Sequence, residues 1–494
     1  MATSESLLSR LYPYKDDALV SKPARTMMLV LLLALTPLVL PGLQQKLPLK
    51  GKSYWEILPS AREFVSFKRN SASATLLNAP EETTSESISL KPSIDECSDQ
   101  LIEDPEHTMD LFNNSLKRTE AREAHAITRI SHYGDSPITN DGITGTVRQL
   151  LQERFGDSGH GFILIDRPWD WYGHQAINFD SGGGWTNGSL MDPQTRDGEL
   201  GFGGVAFFSR GSGSFARFEP VRDGPIGKKF TRMEVFYLEQ PGGGQFSIRA
   251  NDQNEVVSTA GTEPKSGFRE IKVSGNQNNG SFEVKTIDGD VRLFGAVLEN
   301  DDSGVVYDSL GVNGAFAGLL ATAMNEQHWT EQLQHRRSNL VILNYGTNES
   351  QYASDDQMQR YDRELREVVR RVRTALPEAS ILIVSPMDRG KRAPGGKVIT
   401  QPSIPKIVEM QRRVAKETHC AFLNLFAAMG GEGTMARWHE GRKHLVGADL
   451  THPNAEGSQT VGTLIYMALM ENYDNYRDRS SRKHLQAKAE NTIR

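Results

Sequence analysis

The chain has 494 residues, 37% of them hydrophobic and 24% charged, a composition that suits a globular protein and excludes a largely disordered one. That length exceeds one ordinary core, so two folded units with tails are expected. Basic residues number 56 against 62 acidic ones, a net charge of −6, which argues against a nucleic-acid binder with its basic face.

Residues 1–25 form a polar tail. The segment 26–43 is apolar, and 27–43 carries no charge, about the length at which a membrane helix becomes possible. A cleaved signal peptide is the competing reading. No small-x-small site follows the segment, which favours an uncleaved anchor with an exported body. Lys15, Lys22 and Arg25 precede it and Lys46, Lys50 and Lys52 follow it, so basic flanks set its orientation only weakly. Residues 44–124 read as a linker and a leading helix. Ser, Thr, Glu and Pro crowd 78–104, and a helix is expected over about 106–122 on Met109, Leu111, Phe112 and Leu116. The two cysteines, Cys97 and Cys420, leave a disulfide open and have no metal-ligand spacing.

Over 125–194 an apolar strand at 126–130 runs into Gly134-Asp135-Ser136. A helix carrying Val147, Leu150 and Leu151 follows and ends near Gly156. Over 195–302 the texture changes to short alternating runs, such as Met233-Glu234-Val235-Phe236 and Phe282-Glu283-Val284-Lys285, separated by Gly- and Asn-rich turns. That predicts an antiparallel β-sandwich. Over 303–474 strand and helix alternate again. Strands are expected at 340–343, 381–384 and 421–425, with helices at about 356–376, 405–417 and 455–472. Apolar strands alternating with helices imply a parallel sheet covered on both faces, hence an α/β domain interrupted by the β-module. The basic tail 475–494 reads as loose.

Three pieces carry chemistry. Ser136 follows a strand and precedes a helix, so its hydroxyl can project at the carboxyl end of a parallel sheet, where open α/β folds place ligands. Asn348, in Gly346-Thr347-Asn348, lies on the same rim, and its amide can donate to an oxygen that becomes charged in a tetrahedral intermediate. Asp449 and His452 precede the last helix at a spacing that lets the carboxylate hold one imidazole nitrogen while the other faces the serine. Taken singly, each piece is more common as a plain turn. Trp169, Trp171, Tyr172, His174 and Trp185 cluster after the first helix. The tryptophans and Tyr172 are candidate sugar-stacking faces, with core packing an equal alternative.

The order and contexts of these pieces resemble the SGNH (GDSL) hydrolases, over about 125–190 and 303–472. The resemblance implies a flavodoxin-like three-layer α/β fold, a Ser136–His452–Asp449 catalytic set, and an oxyanion hole from Ser136, Asn348 and a glycine. Gly314 is the best match for that glycine, with Gly311 as rival. Pro137 departs from the usual leucine after the serine. The inserted sandwich makes the architecture similar to bacterial peptidoglycan O-acetylesterases, in which a jelly-roll resembles a carbohydrate-binding module. The implied activity is removal of O-acetyl groups from a cell-envelope polysaccharide, outside the cytoplasm, with no metal or organic cofactor. Transfer to another acceptor, action on lipids or thioesters, and a non-catalytic glycan-binding protein stay open.

Overall fold

The computed structural model describes residues 101–494 apart from 193–194, 274–279, 352–353 and 494, and side chains within the last helix as far as 482. The apolar segment 26–43 expected to anchor the chain, the linker up to residue 100, and Cys97 lie outside the described residues. Among the described residues no helix is long and apolar enough to cross a membrane.

Chain order begins with β1 (Ile102–Glu103), α1 (Asp110–Glu120), β2 (Ile127–Gly134) and α2 (Gly142–Phe155). After the inserted strands come β14 (Gly304–Gly311), α3 (Glu326–Arg336), β15 (Leu340–Asn344), α4 (Asp355–Ala375) and β16 (Ser380–Val384). A small hairpin of β17 (Gly390–Arg392) and β18 (Val398–Thr400) precedes α5 (Ser403–Glu417) and β19 (Ala421–Leu423). The helices α6 (Thr434–Glu440) and α7 (Ala455–Ile493) close the chain.

The main sheet has the order β1-β19-β16-β15-β2-β14, parallel throughout except for the edge strand β1. Its five parallel strands thus follow a flavodoxin-like order, with β2 between β14 and β15 at the switch point. Alternation along β15 shows why both faces are covered. Leu340 and Ile342 enter one core with Phe112, Val147, Leu151 and Ile465 of α1, α2 and α7. Val341 and Leu343 enter the other with Trp329, Leu365, Val372 and Val414 of α3, α4 and α5.

The inserted strands are β3 (Gly159–Ile163), β4 (Ile177–Gly182), β5 (Thr186–Ser189), β6 (Val205–Arg210) and β7 (Phe215–Pro220). They continue with β8 (Arg232–Glu239), β9 (Gln245–Ala250), β10 (Gln253–Ser258), β11 (Lys265–Lys272), β12 (Phe282–Asp288) and β13 (Asp290–Glu299). Two antiparallel sheets result, β10-β9-β12-β7-β4 and β11-β8-β13-β6-β5, with β3 also on β13. The sandwich therefore begins near residue 159 rather than at the expected boundary of 195. Glycines and polar residues in β4 and β5 hide the alternation there, and their pairing comes from β6 and β7.

Nor is the sandwich a separate bead. Its core is continuous with one face of the α/β sheet. Tyr133 of β2 meets Phe202 and Trp329 edge-on, each at 5.7 Å between ring centroids. A buried charge cluster joins the same parts: Arg336 of α3 binds Asp308 of β14 (2.9 Å) and Glu299 of β13 (2.5 Å), and Arg129 of β2 binds Glu299 (2.8 Å).

Two further expectations are corrected. Ile102, placed in the linker by its polar surroundings, is buried in β1 against β19, and Asp104 behind it holds the turn that leads into α1 by accepting from Thr108 N (2.7 Å) and Met109 N (3.0 Å). The tail from 475 continues α7. It has no Gly or Pro to stop the helix, and Arg479 pairs with Asp110 of α1 at 2.7 Å.

Candidate active site

Gly134 ends β2 where a β-carbon would lie 2.8 Å from Asn344 O of β15, so only glycine passes there. Asp135 is buried, and Ser136 opens a single 3-10 turn, Ser136–Ile138, with Pro137 in its first positions. Proline suits that place because its fixed φ matches the first turn and its missing N–H is not needed. The departure from leucine thus leaves the serine's delivery intact, and Thr139 Oγ1 donates to Ser136 O at 2.8 Å.

On the neighbouring strand, Gly346 turns the chain at φ +128°, with Pro386 packed where a side chain would stand. Thr347 N then donates to Asp135 Oδ2 at 3.2 Å, and Asn348 Nδ2 donates to Ala315 O at 2.9 Å. Ala315 follows Gly314, whose φ of +76° puts it in the left-handed region beyond the end of β14. Gly311 instead ends β14 paired with Gly134, and a β-carbon on it would lie 2.8 Å from Ile138 Cγ1. Of the two, Gly314 is the one in the turn tied to Asn348.

The loop before α7 supplies the third part. Val446 bridges Pro453, and Leu450 takes a left-handed φ of +58°. Asp449 Oδ1 accepts from Thr451 N (3.0 Å) and His452 N (3.1 Å), and Oδ2 lies 2.6 Å from His452 Nδ1. The imidazole bond is the first cause that holds the Asp449 carboxyl down to about 2, helped by these N–H groups against partial burial. With Asp449 ionised, Nδ1 carries the ring proton. That leaves Nε2 as acceptor for Ser136 O–H, 2.7 Å away. The pair is open to solvent, His452 being 46% and Asp449 52% exposed.

The structure thus brings Ser136, His452 and Asp449 into one hydrogen-bonded chain, with Asn348 and Gly314 linked beside it. The aromatics divide differently. Tyr172 is in the core, its hydroxyl accepting from Leu164 N at 3.0 Å. Trp185 packs on the sandwich and donates to Phe215 O at 3.0 Å, and Trp169 stands edge-on to Tyr172 at 6.3 Å. These three serve packing, because large rings next to an apolar core gain more by burial than by waiting in water. Trp171 alone of the four is a large exposed hydrophobic. Its loop is anchored beyond Ser136 by the buried pair Asp141–Arg148, with Gln175 N donating to Asp141 Oδ2 at 2.7 Å.

Three residues escaped sequence reading. Asp135 is buried behind Ser136, and desolvation pushes its carboxyl up to about 7. Glu349, next to Asn348, is buried and pushed up to about 8 by desolvation and by Asp135. Met191, from the loop after β5, is 45% exposed, and its methyl lies 3.7 Å from where a β-carbon on Gly314 would be. Adjacency to the motifs was the available signal for the two acids. For Met191 there was none. Among the described residues, no group of three or more His, Cys, Asp or Glu could hold a metal ion.

The model of the GDSL-like lipase/acylhydrolase family matches residues 281–460, a span that holds Gly314, Asn348, Asp449 and His452. The chain carries a GDSL-like acylhydrolase domain. Ser136, in the turn after β2, lies ahead of the matched span, which begins within the sandwich at β12. Among solved structures, a peptidoglycan O-acetylesterase is similar at 21% identity, with 76% of this chain and 99% of that one covered and a TM-score of 0.63. The GDSL-like domain and its insertion therefore share that protein's fold. Also similar are the Bacillus subtilis protein YxiM (12% identity, 60% and 90% covered, TM-score 0.30) and an acetyl xylan esterase (13% identity, 33% and 80% covered, TM-score 0.26). No curated protein matches the chain.

Proposed function

We propose that the protein is a serine esterase that removes O-acetyl groups from a cell-envelope polysaccharide such as peptidoglycan. The observation that carries this reading is the bonded series Ser136 Oγ, His452 Nε2, His452 Nδ1, Asp449 Oδ2. Ser136 Oγ attacks the ester carbonyl while His452 Nε2 takes its proton, and Asp449 holds the ring and stabilises the imidazolium. The oxyanion sits on the Ser136 and Gly314 N–H groups and the Asn348 amide, whose second N–H is not used in the bond to Ala315 O. His452 then protonates the departing sugar oxygen, leaving an acetyl-Ser136 ester. Water, deprotonated by His452, releases acetate and restores the serine.

Support for a polymer substrate comes from the openness of His452 and Asp449 to solvent and from the exposed ring of Trp171. The shared fold with a peptidoglycan O-acetylesterase supports the choice of polymer. The apolar segment 26–43 supports a membrane-anchored, extracytoplasmic enzyme.

The test is acetate release from O-acetylated peptidoglycan, with acetylated xylan in parallel, by the wild type and by Ser136→Ala. Release by the wild type from peptidoglycan alone is the expected result. Hydrolysis of aryl acetate without release from either polymer would move the reading to a small-ester substrate, and equal slowness of both proteins on every ester would end it.

A further inference from the structure

The turn that carries Gly314 and the turn that carries Asn348 come from different strands, yet two bonds tie them. One is Asn348 Nδ2 to Ala315 O (2.9 Å). The other is Ala317 N to Glu349 Oε1 (2.8 Å). We propose that Glu349 is a positioning residue for ester hydrolysis: by accepting from Ala317 N it fixes the Gly314 turn against Asn348, so that two of the three oxyanion donors keep their spacing. This rests on the esterase reading above.

Several features set Glu349 apart from a residue that only fills space. It is 9% exposed, and its second oxygen, Oε2, is buried without a protein partner among the described residues. An apolar side chain of the same size would avoid that cost. The side chain belongs to a short helical turn, Glu349–Gln351, itself braced by Ser350 N donating to Gly346 O at 3.0 Å. Rigid on one side and bonded to Ala317 on the other, it transmits a fixed distance. Burial, with Asp135 adding to it, raises the carboxyl to about 8. The group is therefore largely neutral at pH 7, and a neutral glutamine amide, whose oxygen can accept from Ala317 N, should replace it.

Removal of an oxyanion donor costs about 10²–10³ in rate, and a donor set held at the wrong spacing should approach the lower figure. The experiment measures kcat and KM for an aryl acetate at pH 7 in the wild type, Glu349→Ala and Glu349→Gln, with thermal unfolding of each. Glu349→Ala is expected to lose kcat by about 10²-fold, with KM within about 3-fold. Glu349→Gln should recover kcat to within about 5-fold of the wild type. If Glu349→Ala does not fold, Glu349→Asp, one methylene short of Ala317, should lower kcat at least about tenfold while melting near the wild type. Full activity of Glu349→Ala or Glu349→Asp, or a Glu349→Gln protein as slow as Glu349→Ala, overturns the positioning role while leaving the esterase reading intact. A wild type no faster than Ser136→Ala overturns both.

Discussion

Ser136 Oγ and His452 Nε2 stand 2.7 Å apart although 316 positions of chain separate them. The contact exists because β2 runs down the middle of a parallel sheet and the loop before α7 folds back over its carboxyl end. Ser136→Ala and His452→Ala are each expected to lower kcat/KM for an aryl acetate by at least about 10³-fold, and the double variant should be no slower than either single one. Asp449→Asn should cost about 10²–10⁴, since the wrong tautomer then faces the serine. Steady-state rates of the four proteins check this, and additive losses would contradict a unit of shared chemistry.

Asp135 gives the molecule a stability that declines with pH. Burial raises its carboxyl from 3.8 to about 7, so the folded chain keeps a proton that the unfolded chain has already released. The stabilisation is complete below about pH 4 and is lost as pH rises through about 7. Asp135→Asn retains an oxygen for Thr347 N and removes that titration. Its stability relative to the wild type should therefore increase between pH 5 and pH 8. Urea unfolding of both proteins at the two pH values reads the difference, and a pH-independent difference would sink the assignment.

Met191 is expected to limit the length of the acyl chain. Its methyl lies 3.7 Å from where a β-carbon on Gly314 would be, so the exposed Met191 side chain stands beside the glycine proposed to hold the carbonyl oxygen. Met191→Ala should raise the octanoate-to-acetate ratio of kcat/KM by about tenfold or more, the scale of one or two methylenes in an apolar contact. An unchanged ratio would place the acyl group elsewhere.

Arg336 couples the sandwich to the α/β sheet. It is buried with Asp308 and Glu299, and its guanidinium, with that of Arg129, holds the Glu299 carboxyl well below its ordinary range despite burial. Arg336→Ala leaves two acids in the interior short of a partner and should cost about 3–5 kcal/mol of stability. Urea denaturation should show both units losing structure in one transition, because their core is continuous. Two separated transitions would mean the sandwich folds alone.

The catalytic candidates are legible in the sequence because each sits where a local pattern changes: Ser136 and Asn348 just past apolar strands, Asp449 and His452 just before a helix. The runs 340–343 and 381–384 announced buried parallel strands for the same reason, since four apolar residues in succession need cover on both faces. Burial of particular aromatics was not legible. Trp171 and Tyr172 are neighbours in sequence and differ because one ring meets solvent and the other meets the core under Leu164. The tail is helical despite its polarity because α1 supplies partners such as Asp110 for Arg479.

The amino-acid sequence by itself determined the alternation of strands and helices, the interruption by an antiparallel module, and which residue types stand at the strand ends, because these depend on contacts within a few residues. Only the tertiary structure decided where the sandwich begins, which glycine lies beside Asn348, and that Asp135, Glu349 and Met191 surround the site. Those depend on burial and on hydrogen bonds between segments from 32 to 212 residues apart, and no local pattern encodes either.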